Sequence, residues 1–370
     1  MFSTLTSSLI AFWCLSTMTS ATPFSYDNNP LKNNFPTPSN DQIKAIETQA
    51  HGSLPNTAPP ATAQQNTLTS LRLIAFNELF EVAFFAELIA NITNNVDGYK
   101  INDVSTKKSV LASLIAIQAQ EELHTLDANN ALKHFKTDPI QPCHYDFPVS
   151  NLNDAIGLAS TFTDMALGVL QDVQSQLGSD GDIGLIRGVG AIIGQEGEQN
   201  GLFRQFGNKI PSALPFLTTS TRDFTFSAIN QNFVVPNSCP NINVIDLKIF
   251  SPLTVDSETL KSLQQNPKPT TLKFSFQLPL GGPKPEWGSD WTGLKLAYIN
   301  QQNIPVTENL HNVKVNTDTV SFEAPFLFDA ATFGNGLTIA AVASASADFS
   351  SPDNIAKAPV VFGPGLIEVN

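Results

Sequence analysis

The chain has 370 residues, of which 42% are hydrophobic and 14% are charged. This composition excludes a wholly disordered, collagen-like or disulfide-dense protein, and the length predicts about two domains. Because 33 Asp and Glu outnumber 20 Lys and Arg, the formal net charge is -13, so neither nucleic acid nor an anionic membrane is an expected partner.

The chain begins with an uncharged segment, residues 1–21. The apolar run from Leu9 to Leu15 is followed by the small residues Thr19, Ser20 and Ala21, which is typical of a secretory signal peptide. The alternative is a membrane anchor, but the run is much shorter than the roughly 20 residues of a spanning helix. We therefore predict a secreted protein, in the extracellular space or the cell wall, without a membrane span.

The next segment, residues 22–65, is rich in Pro, Asn, Ser and Thr. Such a composition is typical of a linker, which we expect to be partly extended and mobile. One short helix is predicted near residues 41–50.

Four segments then place apolar residues three and four positions apart, which predicts amphipathic helices. They cover approximately residues 67–95, 105–135, 151–177 and 182–206. Ser105 or Thr106 is the expected N-cap of the second helix. Together these helices predict a four-helix bundle within a domain spanning residues 66–239.

Acidic residues and one histidine interrupt the apolar stripes of three predicted helices near their middles. These residues are Glu78, Glu81, Glu121, His124 and Glu196. Antiparallel packing would bring them to one level inside the bundle. Buried carboxylates cost several kcal/mol each, so either metal ions or protons neutralise them, or the acids lie at a hydrated seam. Three other acids fall off the stripes and are expected to face solvent: Glu87, Glu122 and Glu198.

The spacing on the second helix favours a metal site. Glu121 and His124 form Glu-x-x-His, and residues three apart on a helix share one face and can reach one ion. On the fourth helix, Glu196 and Gln199 occupy the matching positions.

These residues resemble the ferritin-like superfamily of carboxylate-bridged di-metal bundles. The resemblance is carried by NELFEVAFFAELI (77–89), QAQEELHTLDANNAL (118–132) and IIGQEGEQNGLFR (192–204). Over about residues 66–235 the chain is similar to plant desiccation-related proteins, and more so to fungal secreted stress-response and late-sexual-development proteins. The resemblance implies a ferritin-like fold, whereas the activity of this branch is poorly defined.

The chain departs from the di-iron pattern of one Glu from each of two helices and Glu-x-x-His from each of the other two. Gln199 stands in place of the second His, and Thr163 stands in place of a Glu, with Asp164 beside it as a substitute. The candidate ligands for iron or manganese are Glu78 or Glu81, Glu121, His124 and Glu196, with Gln199 and Asp164 as weaker ones.

This incomplete set leaves two functional interpretations. We slightly favour a non-catalytic, stress-associated or sexual-development protein that retains a partial or degenerate site. The alternative is an active mono- or di-metal oxidoreductase or metal-storage bundle.

Two features agree with export. Cleavage after the signal peptide would remove Cys14 and leave Cys143 and Cys239, which form either one disulfide or two buried thiols. Asn91 begins an Asn-Ile-Thr glycosylation sequon.

From about residue 240 the apolar pattern changes to alternation, which predicts an Ig-like β-sandwich over residues 240–370. The predicted strands are 243–250, 271–278, 294–299, 320–326, 337–344 and 360–369. Trp287 and Trp291 lie in a Gly- and Pro-rich loop, where they either cap the sandwich core, which we favour, or provide a carbohydrate-stacking surface for cell-wall contact.

Overall fold

The structure is a computed structural model that describes residues 22–28 and 30–369. The predicted signal peptide, with Cys14, lies outside the described residues. The helices are α1 (Asn40–Ala50), α2 (Gln65–Thr93), α3 (Val104–His134), α4 (Leu152–Asp180), α5 (Ile186–Phe206), α6 (Arg222–Asn232), α7 (Ser257–Gln265) and α8 (Pro352–Ala356). The strands are β1 (Leu253–Val255), β2 (Thr270–Gln277), β3 (Leu294–Asn300), β4 (Val306–Asn309), β5 (His311–Asn316), β6 (Thr319–Phe326), β7 (Gly336–Ser344) and β8 (Val361–Val369).

The four long helices α2 to α5 form the predicted bundle. Asp103, rather than Ser105 or Thr106, caps α3 by accepting a hydrogen bond from the backbone N–H of Thr106. Asn151 caps α4 in the same way. A short 3-10 turn, Ile183–Leu185, precedes α5, which therefore begins later than predicted. α2 is buried on nearly all sides, as expected for the central helix of a bundle.

The loop between α2 and α3 fixes the start of α4. Gly98 has a φ of 83°, and a Cβ at this position would collide with the backbone carbonyl of Ser150. The backbone N–H of Leu152 donates to the Gly98 carbonyl at 3.0 Å. As a result α3 and α4 begin at the same end of the bundle, joined by a long crossover, as in ferritin-like bundles. In the structure a disulfide joins Cys143 in this crossover to Cys239.

Part of the segment 22–65, for which composition predicts a linker, packs against the bundle. It includes α1, close to the predicted short helix, and Phe24, Phe35 and Ile46 are buried in the same core as the bundle. The Tyr26 hydroxyl donates to the Leu79 carbonyl, and Asn33 donates from its amide to the Glu122 carboxylate at 2.5 Å. These buried aromatic and amide contacts hold the segment against α2 and α3.

The C-terminal part contains two four-stranded antiparallel sheets with the strand orders β1-β2-β6-β5 and β4-β3-β7-β8. Side chains from both sheets form one core, including Phe274 and Phe322 from the first sheet and Tyr298 and Val342 from the second. The structure therefore confirms a helical domain followed by a region of antiparallel sheets.

The first predicted strand, residues 243–250, is wrong. The segment contains a 3-10 turn and no strand. Side chains of α6 form hydrogen bonds with its backbone groups. Asp223 accepts from the Lys248 N–H at 2.7 Å, and Ser227 accepts from the Phe250 N–H at 2.9 Å. With these bonds made to a helix, the segment has no need of a partner strand.

Trp287 is buried, and Trp291 is half-buried beside it, with ring centroids 6.0 Å apart. Their contacts with Phe362 and Phe276 belong to the sandwich core. This packing favours the capping interpretation, while carbohydrate contact stays a prediction.

In the second sheet, β7 is buried on both faces, because the helical domain covers its outer side. All residues of β7 are buried, and Leu337, Ile339 and Ala341 belong to the core of the helices. Gln231 on α6 donates to the Gly363 carbonyl on β8 at 2.9 Å. Within the described part of the chain, no helix is both long and apolar enough for a membrane span.

Candidate metal centre

Four side chains from three helices converge inside the bundle. Glu78 on α2, Glu121 and His124 on α3, and Glu196 on α5 each offer a ligand atom, and these atoms all lie within 4.8 Å of one another. The three carboxylates are fully buried, whereas the His124 side chain is 14% exposed. These four are the residues that the interrupted stripes singled out, with Glu78 rather than Glu81 as the ligand from α2.

His124 faces the carboxylates through Nδ1. This nitrogen is 2.9 Å from Glu121 Oε2, one turn earlier on the helix, and 3.4 Å from Glu78 Oε2 on α2. Burial opposes ionisation of Glu121, but the charge and hydrogen bond of His124 outweigh it and hold the pKa of Glu121 below its usual value. Burial likewise opposes protonation of His124, and Glu121 more than compensates, so the pKa of His124 is raised.

For Glu196, the charge of His124 does not outweigh burial and repulsion. Neither of its carboxylate oxygens accepts a hydrogen bond from a described residue. Burial, followed by repulsion from Glu81 and Glu78, raises the pKa of Glu196 well above its usual value. The pKa of Glu78 is raised for similar reasons, first by burial and then by repulsion from Glu121. Carboxyl groups in this condition are neutralised by a proton or by a cation.

Glu81 lies beside the group without joining it. Its Oε1 accepts a hydrogen bond from Asn77 at 2.9 Å, whereas its Oε2 has no described partner. Burial and the nearby Glu121 carboxylate raise its pKa well above the usual value. Glu81 is therefore a fourth acid close to the centre, available to a second position.

Gln199 approaches the centre with the wrong end of its amide for a ligand. Its Nε2 donates to Glu121 Oε1 at 2.5 Å, so this oxygen is already engaged in a hydrogen bond. Thr163 is buried where α4 would supply a Glu, and its hydroxyl has no described hydrogen-bond partner. Among the described residues, Gln199 and Thr163 therefore bring no charged ligand to a second position.

The expectation that Asp164 could substitute for the missing acid is wrong. Asp164 is buried outside the convergent group, where Asn200 donates to its Oδ1 at 2.9 Å. Ser160 in turn donates to Asn200 at 2.7 Å, and this polar chain directs Asp164 away from the centre.

Glu122 does not face solvent as expected. It is fully buried under the N-terminal segment and accepts the hydrogen bond from Asn33. Burial raises its pKa to about 7. Glu198 is exposed, as expected, and Glu87 is half-buried.

The sequence analysis missed the amide groups that close the seam between α3 and α5. Gln195 donates to Gln120 Oε1 at 2.8 Å, and Gln199 contacts the same oxygen at 3.4 Å. Gln120 and Gln195 each adjoin a predicted ligand, Glu121 or Glu196, in the sequence. This adjacency is the only signal that could have identified them.

Asn91, the predicted glycosylation site, lies half-buried in the last turn of α2, and its glycosylation stays a prediction.

A comparison with family models bears on this helical region. Residues 70–209 match the family described as ferritin-like domain. This match covers all four positions of the convergent group. A comparison with curated proteins finds no match.

The donor set of the convergent group fits a divalent transition metal. Three carboxylates and one imidazole are ligands that iron(II) and manganese(II) accept. The oxygens of Glu196 lack described hydrogen bonds, and a cation would satisfy them. The four residues present therefore fit one ion, whereas the neutral Gln199 and Thr163 do not complete a second position.

Proposed function

We propose that the bundle binds one divalent transition-metal ion, iron or manganese, through Glu78, Glu121, His124 and Glu196. The observation that carries this proposal is the convergence of their ligand atoms within 4.8 Å, with both Glu196 oxygens lacking described partners. A cation there would stabilise the carboxylates of Glu78 and Glu196, whose pKa values are now raised first by burial and then by mutual repulsion.

Iron or manganese, when bound, would supply one-electron redox chemistry. The protein's own contribution is to hold the ligands in a dry interior. His124 is the partly exposed member of the group, and amide contacts between Gln120, Gln195 and Gln199 lie next to it. Gln199 also holds Glu121 in place by its hydrogen bond.

Metal analysis of neighbouring variants tests the proposal. After loading with iron(II) or manganese(II) and desalting, the wild-type protein should retain about one ion per chain. Glu121→Gln should lose it. Glu122→Gln is a matched control, because it changes the adjacent buried carboxyl without touching the centre, and it should retain the ion. Retention of less than about a tenth of an ion by the wild type, or full retention by Glu121→Gln, would refute metal binding.

A non-catalytic role is a second candidate, favoured by Gln199 and Thr163. The hydrogen bond from Gln199 to Glu121 and the neutral Thr163 support a partial or degenerate site. Under this proposal the carboxyl groups would be protonated, and iron(II) or manganese(II) would leave the melting temperature unchanged. Under metal binding, an ion at 100 times its Kd would stabilise the fold by about 2.7 kcal/mol.

We also infer that the protein is secreted and acts in stress or sexual development, on the basis of its apolar start and its family resemblance. The disulfide between Cys143 and Cys239 supports an oxidising compartment. We further infer that the sheets form an Ig-like sandwich, because the orders β1-β2-β6-β5 and β4-β3-β7-β8 correspond to the ABED and C′CFG orders of such domains. Mass spectrometry of the secreted chain, locating its first residue and any glycan on Asn91, tests the export.

A further inference from the structure

A cavity of about 500 Å³ opens at the end of the bundle where α3 and α4 begin and α5 ends. Its wall includes the buried residues Val110, Ile156 and Phe203, and Phe206 lines it with 38% of its surface exposed. The volume is in the range of small-molecule sites, about 300–1,000 Å³. Eight residues of α5 separate Glu196 from Arg204 on the cavity wall, a rise of about 12 Å, so the cavity is distinct from the metal centre.

The charged side chains that line this cavity are both cationic. Arg204 and Lys209 contribute to the wall, and no Asp or Glu does among the described residues, although the chain as a whole carries -13. Arg204 is buried, with Nε donating to the Ile210 carbonyl at 2.7 Å and Nη1 3.9 Å from Glu368 on β8. Lys209 is exposed at the rim, directly after the end of α5.

Two acids behind the wall do not cancel this positive charge. Asp164 is held by Asn200. Burial, and then the nearby Asp164, raise the pKa of Glu368 well above its usual value, which favours the neutral form of that carboxyl group. Neither acid lines the cavity, whereas Lys209 is exposed at its rim, so an anionic ligand gains there.

We propose that this cavity binds a small amphipathic monoanion, a medium-chain carboxylate, with its alkyl chain against Val110, Ile156 and Phe203 and its carboxylate beside Lys209. The apolar wall supplies the binding energy of the chain, at about 25 cal/mol per Å² buried. The cationic rim selects the charge and orients the ligand. This inference does not depend on metal binding.

Gly157 on α4 gives a way to block the cavity without disturbing its walls. It lines the cavity, and a Cβ at this position would meet no atom within 4 Å. Gly157→Phe should therefore project a ring into the open space. Gly188→Phe is the matched control, since Gly188 is also a helical glycine with nothing within 4 Å but lies away from the cavity.

Isothermal titration calorimetry at pH 7 with decanoate tests the proposal, and 1-decanol serves as the uncharged comparison. The wild type and Gly188→Phe should show saturable binding of about one decanoate per chain, and Gly157→Phe should bind at least about tenfold more weakly. Lys209→Glu should weaken decanoate by about tenfold and leave 1-decanol unchanged. Circular dichroism melting establishes that each variant is folded.

Three results of these titrations would overturn the proposal. They are the absence of saturable decanoate binding by the wild type, undiminished binding by folded Gly157→Phe, and equal effects of Lys209→Glu on decanoate and 1-decanol. Co-sedimentation with vesicles of phosphatidylglycerol without binding of free decanoate would likewise overturn it, by indicating a membrane surface instead. If Gly157→Phe does not fold, the selective effect of Lys209→Glu decides the outcome.

Discussion

The two helix pairs of the bundle contribute unequally to its polar centre. The pair α2 and α3 supplies Glu78, Glu121 and His124, with Glu81 close by. The pair α4 and α5 supplies only Glu196 to the convergent group, while Gln199 and Thr163 stand in the other positions. One pair therefore supplies most of the candidate ligands, and the other presents mainly neutral side chains to the centre.

This difference bears on the charge that the interior must hold. The neutral Gln199 and Thr163 add no charge there, whereas a Glu would add one that needs compensation. Gln199 also donates a hydrogen bond to Glu121. The buried acids still need a cation or protons to neutralise them, so the pair α2 and α3 is the main part of the candidate metal site.

The largest expected effect concerns the disulfide in the crossover between the two helix pairs. The crossover from α3 to α4 is tied by the disulfide, which spans 96 residues to Cys239. Opening a loop of this length should cost about 4–5 kcal/mol in the free energy of unfolding. Urea denaturation of Cys143→Ser/Cys239→Ser against the wild type measures it. Equal midpoints for the two proteins would mean that packing alone fixes the crossover.

The second-largest expected effect concerns Glu122, the buried acid beside the centre, and the pH dependence of stability. Burial raises the pKa of Glu122 to about 7, so its folded state prefers the proton. Its contribution to stability is full below the unfolded value, 4.5, and is lost as pH rises through about 7. The loss should approach about 3 kcal/mol at pH 8. Glu122→Gln should flatten this part of the pH profile, measured by urea denaturation.

Adding a metal ion to the same pH profile separates the contribution of the centre from that of Glu122. Glu78, Glu81 and Glu196 also have raised pKa values, so the metal-free wild type should lose further stability as pH rises. Manganese(II) should restore the part due to the centre and leave the Glu122 part unchanged. Glu198→Gln, an exposed change on α5, should leave the profile as it is in the wild type. A profile that Glu122→Gln does not alter would contradict the assignment.

The position of Glu122 also shows where sequence reasoning stopped. The three-and-four spacing predicted the four long helices and the residues that converge, because burial of a helix face has a fixed period. It could not identify Glu122 as buried, because the covering segment, with Asn33, is rich in Pro and Asn and gives no periodic signal. Asp164 was misplaced for a related reason, since only the partner Asn200 decides which way it points.

The sheet region gives a parallel lesson. The strands β2, β3, β6, β7 and β8 were predicted within about two residues, because their side chains alternate or stay apolar throughout. The segment 243–250 has the same composition but bonds to α6, a helix that was not predicted. Short edge strands such as β4 and β5 are largely exposed, so their sequences carry little apolar pattern.

A smaller expected effect is that the two helix pairs contribute unequally to the affinity for manganese(II). Glu121→Gln should weaken manganese(II) binding about 100-fold, because Glu121 also orients His124. Glu196→Gln should weaken it by about tenfold, since Glu196 makes no other described contact. Competition with a fluorescent chelator measures both affinities. Equal losses would show that the two pairs share the ion evenly.

The last prediction reverses the asymmetry. Thr163→Glu together with Gln199→His restores an acid on α4 and a Glu-x-x-His pair on α5, beside Glu81, which is already present. The variant should bind a second ion, at least about tenfold more weakly than the first, because two adjacent cations repel. The number of ions per chain, measured by elemental analysis, should rise from about one to about two. Gln199→His alone is the control, since without the new acid the second position remains undercharged. A double variant that still binds one ion would mean that the geometry of α4 and α5, and not merely their residues, has departed from a di-metal arrangement.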